Sequence, residues 1–240
     1  MSATSLPFKW AGAVYALLFA LALVAFWPGY LAVPKEEMGA WMHLHAVSAT
    51  LWMFILIAQP CAIHSGRRRL HRWLGRSSLV VMPVVLVSLI GLAHDTLQGA
   101  TGQVFGVQAF FLYVRLVLFI VLVVPYVMAL INRRNVAIHA RYMVATGLAL
   151  VDPVVARIAF RTMRDQQFNY QFLTFGLICA TLVLLIWLER RAQSGRHVFP
   201  VMLAMYVVLG LPLVFEFYKW GTVWQFWKSL AAGFAALPIP

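Results

Sequence analysis

The sequence predicts an all-α, polytopic transmembrane bundle of about seven spans, N-terminus inside and C-terminus outside, with a possible interfacial helix at the C-terminal end. Three observations carry that prediction. Of the 240 residues, 63% are hydrophobic, and the mean hydropathy is +0.84. A soluble domain of this length would leave large apolar patches in water, whereas lipid lets those side chains face outward. The apolar residues also fall into stretches near the ~20 needed to cross the hydrocarbon core as a self-satisfied helix. Finally, the connections alternate between arginine-rich and arginine-poor, the mark of a multi-pass protein with a fixed orientation.

Taken in order, the spans cover roughly 10–28, 41–63, 75–94, 107–131, 139–161, 170–188 and 199–218. The first starts at Trp10 after Lys9, and no small-residue cleavage site follows it, so it reads as a retained span. Aromatics mark many ends, among them Trp10, Trp27, Trp41, Trp187 and Trp220, as expected at the two membrane interfaces. Pro60, Pro83, Pro125, Pro153 and Pro212 fall inside spans and predict local kinks. Residues 1–219 form the membrane domain on this reading, and 220–240 an amphipathic tail. Within the tail Trp220, Val223, Trp227, Leu230, Phe234 and Leu237 share one helical stripe, suited to lying on the outer leaflet or entering it as a partial eighth span.

Orientation follows from charge. Lys9, the run Arg67, Arg68, Arg69, Arg72 and Arg76, then Arg133, Arg134 and Arg141, and last Arg190, Arg191 and Arg196 lie on one side. The other side holds Lys35, Arg161, Arg164, Lys219 and Lys228, diluted by Glu36, Glu37 and Asp165. The richer side is expected to be cytoplasmic. The net charge of +12 sits mostly at span ends, which points to anionic lipid headgroups as partners and away from nucleic acid. Cys61 and Cys179 lie in apolar stretches outside any CxxC motif and are expected to be buried, without disulfide or metal.

Ionisable groups within spans are costly and therefore candidates for function. Arg115 and Asp152 are predicted at similar depths, roughly 12 and 13 Å below the outer surface by helical rise, and are expected to form a buried ion pair. His43 and His45 make an HxH pair, but two residues apart on a helix point about 200° apart. His45 is the one expected to face inward, on the stripe of Ser48, Trp52, Leu56 and Gln59. With His94, Asp95, Asp152, Arg157 and Glu216, the outer half gathers nitrogen and carboxylate groups of the kind that hold a divalent transition metal. The predicted metal set is His43, His45, His94, Asp152 and Glu216.

Toward the inner side stand His64, His71 and His139. His71 begins span three and His139 begins span five. Two histidines at one depth on separate helices are the geometry of axial haem ligands, and Arg72 and Arg141 stand beside them for the propionates. Headgroup anchoring is the alternative reading of the same residues. His197 is expected at the interface. No P-loop, GxSxG, HExxH or dinucleotide fingerprint is present.

The motifs His43-Leu-His45, Gln59, His71-Arg-Trp-Leu-Gly75 and His139-Ala-Arg-Tyr-Met143, followed by Asp152-Pro and Arg157, resemble an uncharacterised family of bacterial multi-pass membrane proteins. The likeness covers spans two to five, about half the chain. It implies a bacterial inner-membrane protein. The chain is more faintly similar to the b-type bis-histidine membrane cytochromes, which hold haem between histidines on alternate helices. His71 and His139 fit one such pair, while span four has no histidine for a second. The leading expectation is a redox-type membrane protein with one haem b between His71 and His139. The alternatives are a metal-dependent enzyme or small-solute transporter built on the outer residues, and a structural or assembly subunit. Oligomeric state is not encoded in any of these patterns.

Overall fold

The computed structural model describes residues 10–34, 36, 38–163 and 169–239. Lys9, Lys35, Glu37, Arg164 and Asp165, which entered the charge count, lie outside them. The described residues form helices joined by short connections, with no strand among them. In chain order they are α1 (Ala11–Phe26), α2 (Ala40–His64), α3 (Arg68–Leu97), α4 (Gly102–Ile131), α5 (Val136–Leu148), α6 (Val151–Met163), α7 (Tyr170–Leu188), α8 (Val198–Val214) and α9 (Thr222–Ala235).

Among the described residues six segments are long and apolar enough to cross a bilayer: Ala11–Leu31, Ala40–His64, Arg68–Leu97, Gly102–Ile131, Val136–Met163 and Tyr170–Leu188. The seventh predicted span becomes α8, an apolar helix of 17 residues, or about 25 Å by helical rise. It stops where Glu216 takes a left-handed conformation (φ 53°), the conformation that commonly ends a helix. The fifth span is two helices in line. Pro153 has no N–H and its ring crowds the carbonyl four residues back, at Ala149, so the helix breaks between Leu148 and Val151. Pro60, Pro83, Pro125 and Pro212 stay inside their helices.

Helices α2 and α3 form a long antiparallel hairpin whose register is visible in its contacts. A Cβ on Gly91 would stand 2.2 Å from the Trp41 ring, His45 bonds Ser88, and the Gln59 amide bonds the His71 carbonyl. Helix α4 is the hub, packed against α3, α5, α8 and α9. Helix α1 closes the bundle against α2 and α6. At its tip Pro28 cannot donate to Val24, and Arg161 of α6 donates instead to the freed Val24 and Ala25 carbonyls. The core between helices is carried by Trp52, Met82, Val121, Leu182, Phe199 and Met202, each at most 1% exposed. Many large apolar residues, such as Val80, Ile131 and Val208, face outward, as lipid permits.

The tail helix departs from its predicted stripe. Ala231 is buried, with Trp224, Trp227 and Phe234 partly so, while Val223 and Leu230 stay half exposed. The helix packs on α3 and α4.

Candidate functional site

The contacts sort into two ends. At the arginine-rich end, α3 and α5 bring His71 and His139 within electrostatic reach of each other. The Nδ1–H of His139 donates to the Ala129 carbonyl at 2.8 Å. That bond fixes the tautomer and leaves Nε2 bare, the arrangement usual for a ligating imidazole. His71 differs: its Nδ1 is buried with no hydrogen-bond partner, and so is Oε1 of the neighbouring Gln59. Buried polar atoms are nearly always paired, so two orphans side by side are unusual. Helices α3 and α5 both pack on α4 but share no extended contact with one another.

The arginines beside them split. Arg72 is exposed. Arg141 is buried, and its guanidinium is engaged by the carboxylate of Glu189 and the carbonyl of Ala137. Arg141 is thus a pin between α5 and the end of α7. Glu189 was not among the sequence candidates. The available signal was a lone acid beside Arg190 and Arg191.

At the opposite end the predicted metal set disperses. His43 bonds the Tyr30 hydroxyl at 3.1 Å, while His45 turns to Ser88, itself bonded to Ser48. The 200° divergence of the HxH pair is realised. Ser48, Trp52 and Leu56 on the His45 face are buried, as read from the sequence. His94 is buried and donates from Nε2 to the Leu237 carbonyl at 2.9 Å, with its ring edge-on to Phe234. Glu216 lies past the end of α8, bound to Tyr218 and to Lys219 at 2.8 and 2.5 Å. Its bonds to Lys219 and Tyr218 hold its carboxyl below the usual carboxylate range. No group of three or more histidine, cysteine, aspartate or glutamate side chains among the described residues is placed to hold a metal. The expected convergence is corrected: each of these residues has a structural partner of its own.

Arg115 and Asp152 also part company. Arg115 donates to Thr96 at 2.8 Å, and the two ion pairs within 4 Å among the described residues are Arg141–Glu189 and Lys219–Glu216. Asp152 is buried, faces Thr174 and Gln171, and has Arg157 as its interacting cation. A cavity of about 30 Å³ adjoins it, bordered also by Tyr206, whose hydroxyl has no protein partner. Equal depth brings the two residues to one level but says nothing about rotation around the helix axis. Arg157 lies on α6, beyond the helix break that precedes Pro153. It bonds the Pro153 carbonyl and covers the Phe26 ring. Cys61 is exposed on the outer surface of α2 and Cys179 half-buried, so the expectation of buried thiols fails for Cys61; neither forms a disulfide.

Six membrane-length apolar helices define the class: a polytopic α-helical integral membrane protein. Compared with protein-family models, curated proteins and solved structures, the chain matches none of them.

Proposed function

We propose that this is a redox-type protein of the bacterial inner membrane that holds one haem b between His71 and His139. The observation that carries the reading is the pairing of a pinned imidazole with an orphaned one. His139 is oriented by Ala129 with Nε2 unprotonated, and it lies within electrostatic reach of His71, whose buried Nδ1 lacks a partner. The absence of extended α3–α5 packing supports it, because a flat macrocycle needs its two ligand helices apart. The histidines fit a haem. The arginines fit in part, since Arg72 is available for a propionate and Arg141 is held by Glu189.

A haem bound there supplies one-electron transfer at a potential set by its axial ligands and surroundings. The chain's own residues do the rest. Ala129 holds the His139 tautomer, Gln59 ties the start of α3 to α2 through the His71 carbonyl, and Arg141–Glu189 fixes α5 against α7. On this reading the arginine-rich end is cytoplasmic, and its exposed arginines meet anionic headgroups.

The test is the haem-to-protein ratio of purified wild type, His71→Ala, His139→Ala and the exposed control His197→Ala, all made with ample haem. Near-stoichiometric haem is expected in wild type and His197→Ala, and loss in the other two. Wild-type protein free of haem overturns the reading.

A further inference from the structure

We propose that the cavity between α9 and the α3–α4 pair binds a single-chain acidic amphiphile, its carboxylate or phosphate head on Arg115 and its acyl chain among the surrounding apolar side chains. This site lies at the end away from His71 and His139 and does not depend on the haem. The cavity measures about 320 Å³, at the lower end of the ~300–1,000 Å³ usual for ligand pockets. That size suits one chain and not a whole two-chain lipid. Its walls include Leu89, Phe119, Leu230 and Phe234, with the Trp227 ring on the tail side. Arg115 is the single charged residue lining it.

The electrostatics select the head. A guanidinium has five donors in a planar fork that matches a carboxylate or phosphate. Among the described residues Arg115 uses one hydrogen bond, to Thr96, and has no acid within 4 Å. The titratable groups within its electrostatic reach are the His45 imidazole and a second cation, Arg157. An arginine at membrane depth normally finds a counter-charge or water. A neutral head would leave this one uncompensated, whereas an anion answers it with two parallel hydrogen bonds.

The wall formed by the tail is held in place. The Trp227 indole donates to the Ala109 carbonyl at 2.7 Å, and His94 donates to the Leu237 carbonyl at 2.9 Å. These bonds bracket the helix on α3 and α4. His94 thereby acquires a role in closing the cavity, which explains why a histidine is fully buried at this end.

The experiment is calorimetric titration of the purified full chain in a neutral detergent with dodecanoate, dodecanol and the single-chain lysophosphatidylglycerol. It is repeated on Arg115→Gln and on Leu230→Trp, which fills the cavity from the periphery. The expected result is binding of an acidic probe, weakened at least tenfold by either substitution, with dodecanol weak and insensitive to Arg115→Gln. Tighter binding of dodecanoate assigns a free carboxylate; tighter binding of lysophosphatidylglycerol assigns a single-chain lipid phosphate. Dodecanol binding as tightly as dodecanoate overturns the proposal. So does unchanged affinity in Leu230→Trp, or the absence of binding by both acidic probes. Should Arg115→Gln fail to fold, Leu230→Trp and the dodecanoate–dodecanol comparison on wild type decide it alone.

Discussion

Arg141 and Glu189 are each at most 5% exposed in their side chains, so either one alone would be a buried, uncompensated charge. Removing one partner of such a pair typically costs about 3–5 kcal/mol, while replacing both by apolar residues is often near neutral. Arg141→Met is therefore expected to lower the thermal unfolding midpoint sharply, and Arg141→Met with Glu189→Leu to recover most of the loss. Equal damage from the single and double variants would show that packing, and not charge, sets the cost. The pair also marks the limit of what linear reading supplies at this scale. His45 was legible, because helical periodicity alone decides which of two histidines follows the face of Ser48 and Trp52. Arg115 was not, because height in the membrane is a one-dimensional coordinate and contact also needs the right azimuth. The metal set failed for a related reason: His43, His94 and Glu216 share an end of the bundle yet are taken up by Tyr30, Leu237 and Lys219.

Elements were easier to read than contacts. Length and apolarity placed six of the seven expected spans, since lipid demands about 20 apolar residues whatever surrounds them; the seventh is the shorter α8. The break inside the fifth span was foreshadowed by Pro153, although a proline alone does not say whether a helix bends or divides. Pairwise packing shows up at the glycines. Gly91 of α3 lies under Trp41 of α2, whereas a Cβ on Gly106 of α4 would meet nothing within 4 Å. Gly91→Ala is expected to destabilise by about 1–3 kcal/mol through overpacking. Gly106→Ala should be neutral or stabilising by up to about 0.5–1 kcal/mol, from the backbone entropy glycine loses in a helix. Unfolding of the two variants in parallel checks both. If they behave alike, the α2–α3 hairpin does not close at Trp41 as described.

For the molecule as a whole, the alternation of arginine content predicts an orientation that puts α9 on the outer side. Single cysteines at Ser194 and Gln98, both exposed, in a background of Cys61→Ala and Cys179→Ala test it. Gly195 is unsuitable, because it is buried at φ +76° with a Cβ position 2.9 Å from Arg141. In intact cells Gln98→Cys is expected to react with an impermeant thiol reagent and Ser194→Cys to be protected. The opposite pattern inverts the protein. What no span pattern could reveal is how the helices close around α4, leaving two histidines within electrostatic reach of each other at one end and a lone arginine in an apolar cavity at the other.

The most direct measurement of the central claim is the electron paramagnetic resonance spectrum of the oxidised, purified protein. Ligation by both imidazoles predicts a low-spin ferric haem signal that disappears in His71→Ala and in His139→Ala. A wild-type spectrum with no ferric haem signal, or a low-spin signal that survives both substitutions, contradicts it.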